Sequence, residues 1–155
     1  MQITYLSYFL ASIIAYIGLL LGIILIKLAP EEQKPGKKYF ILFKKMLFFI
    51  ILSSLLVFYQ INIILSLGLL LATVILVLNE KINLEESAII YFLFGIVFYL
   101  GSKIPAFFII ISVLVFLYGI PNSSLIFNIQ KRNYSDIFIR NIYFFIPAVF
   151  LYLMF

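Results

Sequence analysis

The sequence predicts an all-α integral membrane protein, a single domain folded as a compact bundle of about six short transmembrane helices. Hydrophobic residues make up 66% of the 155 residues and charged residues 11%, and the mean hydropathy is +1.24. A soluble domain has about 25% charged residues, and one of this size exposes too much surface to hide so many apolar side chains. The apolar runs do not alternate with polar residues, as the strands of a membrane barrel do.

Six apolar runs approach the length of a membrane span, which needs about 20 residues with a range of about 17–25. The first has no basic residue ahead of it, so we interpret it as a retained helix rather than a cleaved signal. Residues 46–78 form one long apolar stretch, and five helices with one long or re-entrant segment are the alternative. The predicted spans are 4–28, 39–59, 62–78, 86–102, 104–120 and 136–155.

The longest polar stretch, IKLAPEEQKPGKKYF, separates the first two spans. Pro30 with Glu31 and Glu32 has the pattern of a helix start, since proline and carboxylates favour the first turn. The Pro35-Gly36 pair is then expected to break the chain ahead of the second span. A carboxylate pair could bind a metal or carry out acid–base chemistry, but neighbouring residues on a helix diverge by about 100°. A capped, solvated loop explains the stretch better.

Polar residues and prolines mark the later boundaries. Asn83 and Glu86 have the spacing of an N-cap and an acidic third helical residue. Residues 122–136 mix apolar and basic side chains, a composition typical of a segment lying in the membrane interface. The other markers are the break at Tyr59–Asn62, Pro105 and Pro121 as the two ends of the fifth helix, and the i,i+4 pair Asp136–Arg140 at the start of the last.

The basic residues predict the orientation, because cytoplasmic loops carry the excess of Lys and Arg. With six spans, one set of connections holds only Lys103. We therefore expect both termini outside the cytoplasmic membrane and the basic loops inside. The opposite set holds Lys27, Lys34, Lys37, Lys38, Lys44, Lys45, Lys81, Lys131, Arg132 and Arg140.

Part of this basic set is predicted to contact anionic lipid headgroups. Clusters of four to eight basic residues beside a span attract such lipids, at roughly 1 kcal/mol for each residue. Lys44 and Lys45 lie further inside the second predicted span than residues that only set the orientation need to. They are therefore the stronger candidates for contacts with lipid headgroups. The candidate contacts are Lys34, Lys37, Lys38, Lys44, Lys45 and Arg140.

Small residues predict where helices approach one another, since lipid supplies no hydrophobic drive for helix association. Pro147, midway along the last span, is expected to kink that helix. The GxxxG pattern could serve homodimerisation or contact within one chain. The candidate packing residues are Ala11, Ala15, Gly18 and Gly22 in the first span and Gly68 and Ala72 in the third.

The residue types limit the chemistry. Cysteine and histidine are absent, which excludes disulfides, Cys/His metal sites and imidazole acid–base chemistry. The predicted spans place no ionisable residue near the bilayer centre, so we expect no proton-coupled carrier, voltage sensor or intramembrane protease. We also expect no enzymatic activity and no cofactor. The mild polar groups within spans are expected to bond back to their own helices; they are Ser53, Ser54, Ser66, Thr73, Ser112 and Tyr16.

Two functions remain from the sequence. The first is a non-catalytic membrane subunit, anchor or assembly factor that contacts lipids and other membrane proteins. The alternative is a small homo-oligomeric channel or transporter, with Ser53, Ser112 and the Pro147 kink along its path. No nucleic-acid partner is expected, because the basic residues lie at the lipid face. A lipid enzyme that uses Glu31, Glu32, Glu85 or Glu86 is disfavoured, since helix capping accounts for these carboxylates.

Overall fold

The computed structural model describes residues 3–29, 31, 33–78, 87–130 and 134–154. These residues form helices and contain no strand, so the all-α prediction is confirmed. In chain order the elements are α1 (Tyr5–Leu28), α2 (Gln33–Phe58), α3 (Ile63–Leu78), α4 (Ser87–Ser102), α5 (Pro105–Gln130), α6 (Tyr134–Asn141), a 3₁₀ turn (Ile142–Phe144) and α7 (Phe145–Met154).

Several of these helices suit a membrane. Those long and apolar enough to cross one are Tyr5–Leu28, Pro35–Phe58, Pro105–Phe127 and the combined segment Ser135–Met154. The α3 and α4 helices have 16 residues each, or about 24 Å at a rise of 1.5 Å per residue. That is shorter than the hydrocarbon core of about 30 Å.

The start of α2 differs from the prediction. The helix begins at Gln33 rather than at residue 39, and Pro35-Gly36 lies inside it, so the predicted break there is wrong. The first four N–H groups of a helix have no partner within it, and a proline in the first turn therefore costs no hydrogen bond. Lys37 and Lys38 consequently belong to the helix rather than to a loop.

A tight turn separates α2 from α3, which favours six apolar segments over the five-helix alternative. Gln60 adopts a left-handed conformation with φ of 50°, and the Ile61 N–H donates to the Leu56 carbonyl at 3.2 Å. This pattern ends a helix by satisfying its last carbonyls. The Asn62 side chain then accepts a hydrogen bond from the Ile64 N–H at 3.0 Å and starts α3.

The fifth helix is longer than predicted. It passes through Pro121 and continues to Gln130, so the predicted end at residue 120 is wrong. Residues 122–126 are buried in helix rather than lying in the membrane interface, which corrects that prediction too. Pro121 removes one hydrogen bond, the one the Leu117 carbonyl would accept. Burial of the following turn against α1 keeps the helix continuous despite this loss.

Gly18 and Gly22 bring α1 into backbone contact with α5. A Cβ on Gly18 would overlap the Phe116 carbonyl, and one on Gly22 would overlap Ser123 and the Ile120 carbonyl. Gly18 lies against Phe116, and Gly22, four residues later, lies against Ile120. The two helices therefore run in the same direction. The Ser124 hydroxyl donates across the contact to the Gly22 carbonyl at 3.1 Å.

The last segment is irregular ahead of Pro147. A 3₁₀ turn over Ile142–Phe144 separates α6 from α7, and Pro147 has no N–H for the Tyr143 carbonyl. The α4 helix packs onto this turn through Gly95, where a Cβ would overlap the Phe144 carbonyl and crowd the Pro147 ring. Gly95, the small residue at this contact, is not one of the packing residues predicted from the sequence.

Tyrosine hydroxyls join α1 to the last segment. Tyr8 donates to the Ala148 carbonyl at 2.8 Å, and Tyr16 donates to the Phe138 carbonyl. The Tyr8 ring also stacks on Tyr152 with ring centroids 4.0 Å apart. These bonds cross between helices, so α1 contacts the last segment as well as α5.

Candidate ligand site inside the helical bundle

Tyr91 of α4 and Asn122 of α5 meet in the interior of the bundle. Both side chains are 0% exposed, and the Asn122 amide is close enough to interact with the Tyr91 hydroxyl. No hydrogen bond of ordinary geometry joins them. Among the described residues, neither the Tyr91 hydroxyl nor the amide nitrogen and oxygen of Asn122 has a hydrogen-bond partner.

Asn141, the last residue of α6, is a third buried polar residue of this kind. Its amide nitrogen donates to the Ile137 carbonyl at 2.7 Å, whereas its side-chain oxygen has no partner among the described residues. Phe144, three residues further on, has its ring centroid 6.4 Å from that of Tyr91. We use the name polar cluster for the three buried residues with unpaired side-chain atoms, Tyr91, Asn122 and Asn141, of which Tyr91 and Asn122 are neighbours.

Unpaired polar atoms are costly at such positions. A buried donor or acceptor without a partner costs about 1–3 kcal/mol, and the hydrocarbon of a membrane offers no water to relieve the cost. Most buried polar side chains in proteins are hydrogen-bonded. The four unpaired atoms of the polar cluster therefore destabilise the fold. Destabilising groups of this kind are common at functional sites, including ligand sites.

Aromatic rings enclose Tyr91. Its ring has edge-to-face neighbours in Tyr16, Phe94, Tyr118 and Phe144, with centroid distances of 6.5, 5.9, 6.1 and 6.4 Å. Edge-to-face pairs add about 0.5–1.5 kcal/mol each beyond the burial of their area. Tyr91 is therefore held in an aromatic surround contributed by four segments of the chain.

Lys44 lies beside this surround and not at the lipid surface. Its side chain is 8% exposed, and its ammonium nitrogen is 5.9 Å from the centre of the Tyr118 ring, within the range of a cation–π interaction. Lys44 lies in the first half of α2, and its burial does not test the prediction that no ionisable residue lies near the bilayer centre. It is the one buried charged residue among those whose side chains are described.

The polar cluster lies nearer to the basic end of the bundle. The tight turn at Lys103 joins α4 to α5 at the other end. Tyr91 is therefore about 6 Å along α4 from the basic end and Asn122 about 12 Å along α5. Because α1 and α5 run in the same direction, Lys27 in the last turn of α1 lies at this end as well.

The predicted lipid contacts occupy this same end. Lys37 and Lys38 are exposed on α2, whereas Lys45 and Arg140 are half-buried; Lys34 is in α2, but its side chain lies outside the described residues. An apolar groove of about 480 Å³ runs between the end of α1 and the start of α2. Its lining includes Leu25, Ile26, Pro35, Tyr39 and Phe40.

Replacing Lys37 and Lys38 together by glutamine is expected to weaken the binding of anionic phospholipid at this end roughly tenfold or more, since each basic residue contributes about 1 kcal/mol. The measurement is native mass spectrometry of protein extracted with phosphatidylglycerol, counting bound lipids. Lys103→Gln, at the opposite end of the bundle, is the matched control and should retain the wild-type number. Equal retention by both variants would remove the two lysines from a lipid site.

The other predicted residues fall into distinct places. Ala15, Gly18 and Gly22 are buried and Ala11 is half-buried, whereas Gly68 and Ala72 are exposed on α3. Glu31 is exposed, and Glu32, Glu85 and Glu86 lie outside the described residues. The serine and threonine hydroxyls bond back to their own chain segment as expected, through Ser53 to Phe49, Ser54 to Ile51, Ser66 to Ile61, Thr73 to Leu70 and Ser112 to Phe108. The same prediction is wrong for Tyr16, whose hydroxyl donates to the Phe138 carbonyl of the last segment.

Sequence reasoning missed Tyr91 and Asn122. Asn122 follows a proline and opens a polar stretch, a pattern that is typical of a surface segment. One signal was available, because residues 105–127 contain no charged side chain and are long enough together to span a membrane. A carboxamide in such a run, unlike a hydroxyl, has more hydrogen-bonding groups than its own helix can satisfy.

The comparisons with known proteins identify no related site. The chain matches no protein-family model, no characterised protein and no solved structure. Among the described residues, no group of three or more acidic, histidine or cysteine side chains could hold a metal ion. The arrangement of the polar cluster is therefore the basis for a functional proposal.

Proposed function

We propose that this chain is a non-catalytic membrane protein that binds a small polar ligand inside its helical bundle, as a small transporter or channel does. The observation that carries the proposal is the Tyr91–Asn122 pair, which is fully buried with three unpaired polar atoms. A protein that served only as an anchor would be more stable with apolar side chains at both positions, because burying an unpaired polar group is unfavourable.

The local backbone supports the same proposal. Asn122 directly follows Pro121, which interrupts the hydrogen bonding of α5, and Asn141 directly precedes the 3₁₀ turn. Membrane transporters build their substrate sites at interrupted helices, where backbone groups can turn toward a ligand. The Asn122 amide lies next to the hydrogen bond that Pro121 removes from the otherwise continuous α5, and the unpaired oxygen of Asn141 lies next to the 3₁₀ turn. Ser53 and Ser112, in contrast, use their hydroxyls within their own helices.

Solute permeation in liposomes tests the proposal. Liposomes containing the purified full-length protein should take up at least one of glycerol, urea, K⁺ and Cl⁻ faster than protein-free liposomes. Asn122→Leu and Tyr91→Phe should each reduce that uptake about tenfold or more. Ser112→Ala, which removes a hydroxyl bonded to its own helix, is the control and should keep the wild-type rate. Permeation of no probe, or equal rates in all variants, would contradict the proposal.

A membrane subunit or self-associating protein is the second candidate, and the α3 helix favours it. This helix packs mainly against α2, and most of its side chains face outward. A Cβ on Gly68 would meet no atom within 4 Å, and Ala72 is exposed one turn further. Small residues on an outward face allow a second helix to approach closely, and we propose that α3 pairs with a second copy of this chain.

Cross-linking tests this pairing in a chain that has no native cysteine. Gly68→Cys should form a disulfide-linked dimer in membranes when an oxidant is added. Ile109→Cys, on the outward face of α5 and 68% exposed, is the control and should stay monomeric. A heterogeneous product containing a different membrane protein would identify this chain as a subunit, and absence of any adduct would exclude α3 as the contact.

We also propose that the chain crosses the cell membrane six times, with both termini outside and the basic end in the cytoplasm. The basic residues support this orientation. In intact cells, Lys103→Cys is expected to react with a membrane-impermeant maleimide, and Lys37→Cys only after the cells are opened. Both side chains are exposed at opposite ends of the bundle. Reaction of Lys37→Cys in intact cells would show that the orientation is the opposite of the one proposed.

A further inference from the structure

Building on the proposed function, we infer that the polar cluster binds an uncharged hydrogen-bonding group, the hydroxyl or carboxamide of a compact solute, rather than an ion. Small polyols and urea are the ligand classes that carry such groups. Three properties of the site lead to this assignment: its mixture of donors and acceptors, the charges around it, and its aromatic walls.

The unpaired atoms combine both hydrogen-bonding roles. Asn122 presents an N–H₂ donor beside a carbonyl acceptor, the Tyr91 hydroxyl can do either, and Asn141 offers an acceptor oxygen. A metal cation requires oxygen acceptors alone, and an anion requires donors alone. A hydroxyl or carboxamide satisfies the mixed set, because it donates and accepts at neighbouring positions.

The charges around the polar cluster also favour an uncharged ligand. The neighbours shown for the Tyr91 side chain are four aromatic rings and the Asn122 amide, none of them ionised. The Lys44 ammonium lies on the neighbouring Tyr118 ring, where it disfavours a second cation nearby. An anion beside Tyr91 would meet the unpaired carbonyl oxygen of Asn122, and the partial negative charge of this oxygen would repel it.

The aromatic rings around Tyr91 suit a ligand that is partly apolar. Aromatic faces pack well against C–H groups, and ligand sites in proteins commonly combine apolar walls with a few polar groups that fix orientation. Polyols alternate C–H and O–H groups along a short chain and match both parts of this site. Tyr91 and Asn122 are 0% exposed, so a ligand that reaches them must enter among packed side chains, which favours a compact solute over a large one.

Stopped-flow light scattering on liposomes tests the assignment. Vesicles containing the full-length protein are mixed with glycerol or with urea, and the reswelling rate reports entry of the solute. We expect reswelling at least about fivefold faster than in protein-free vesicles, and a return close to that background in Tyr91→Phe and Asn122→Leu. Ser112→Ala should reswell at the wild-type rate. Fluxes of K⁺ and Cl⁻ are measured on the same vesicles with trapped indicator dyes.

The outcomes separate this inference from the proposed function. Entry of glycerol or urea that depends on Tyr91 and Asn122, without ion flux, supports both. A K⁺ or Cl⁻ flux that depends on the same residues, without entry of either neutral solute, overturns the inference and leaves the proposed function standing. Permeation of none of the four probes, or permeation indifferent to both substitutions, overturns the inference together with the function on which it rests.

Discussion

Gly22→Leu is expected to destabilise the protein severely, lowering its thermal unfolding midpoint by about 10 °C or more. A side chain at this position would overlap Ser123 and the Ile120 carbonyl, and the carbonyl belongs to a helix backbone that cannot move aside alone. Overpacking costs about 1–3 kcal/mol even where flexible side chains absorb it, and each kcal/mol shifts the midpoint by about 2–4 °C at this chain length. The Ser124–Gly22 hydrogen bond would be lost as well.

Far-ultraviolet circular dichroism of the detergent-solubilised protein provides the measurement, since the chain has no tryptophan for fluorescence. Ala106→Leu is the matched control, because it introduces the same leucine side chain at an exposed position of α5. It should leave the midpoint unchanged. If the two variants shift the midpoint equally, or if Gly22→Leu unfolds at the wild-type temperature, the close α1–α5 contact is not present.

Asn122→Leu is expected to have the opposite effect on stability and to abolish solute permeation. Leucine has the same branching and the same number of side-chain heavy atoms as asparagine, and the substitution removes two unpaired polar atoms from an aromatic and aliphatic interior. Relief of one such buried group is worth about 1–3 kcal/mol, so the midpoint should rise by about 5 °C. A gain in stability with a loss of function is the expected signature of a residue kept for binding rather than for folding.

Ser124→Ala gives the contrast for this prediction. Ser124 is also buried, but its hydroxyl donates to the Gly22 carbonyl at 3.1 Å and to the Ile120 carbonyl at 2.8 Å. Its removal should lower the midpoint by a few degrees, since a net hydrogen bond contributes about 0.5–1.5 kcal/mol. If Asn122→Leu lowered the midpoint in the same way, the Asn122 amide would have a structural partner and the ligand site would be refuted.

The sequence by itself determined the class of the protein and much of its local structure. The all-α architecture, the apolar segments and the basic end follow from composition and from the length of each apolar run, which depend on no particular neighbour. The bonding of serine and threonine hydroxyls back to their own segments is similarly local, because the acceptor is a carbonyl three to five residues earlier. These properties are consequences of helix geometry within a membrane.

The tertiary structure alone decided which of these local patterns became contacts. Gly18-Gly22 and Gly68-Ala72 have similar small-residue patterns, yet the first packs on α5 and the second faces outward. Pro121 has the appearance of a helix end, but burial of the following turn against α1 carries α5 past it. The Tyr91–Asn122 pair exists only because α4 and α5 are neighbours, since contacts between residues far apart in sequence depend on how helices pack and not on local composition.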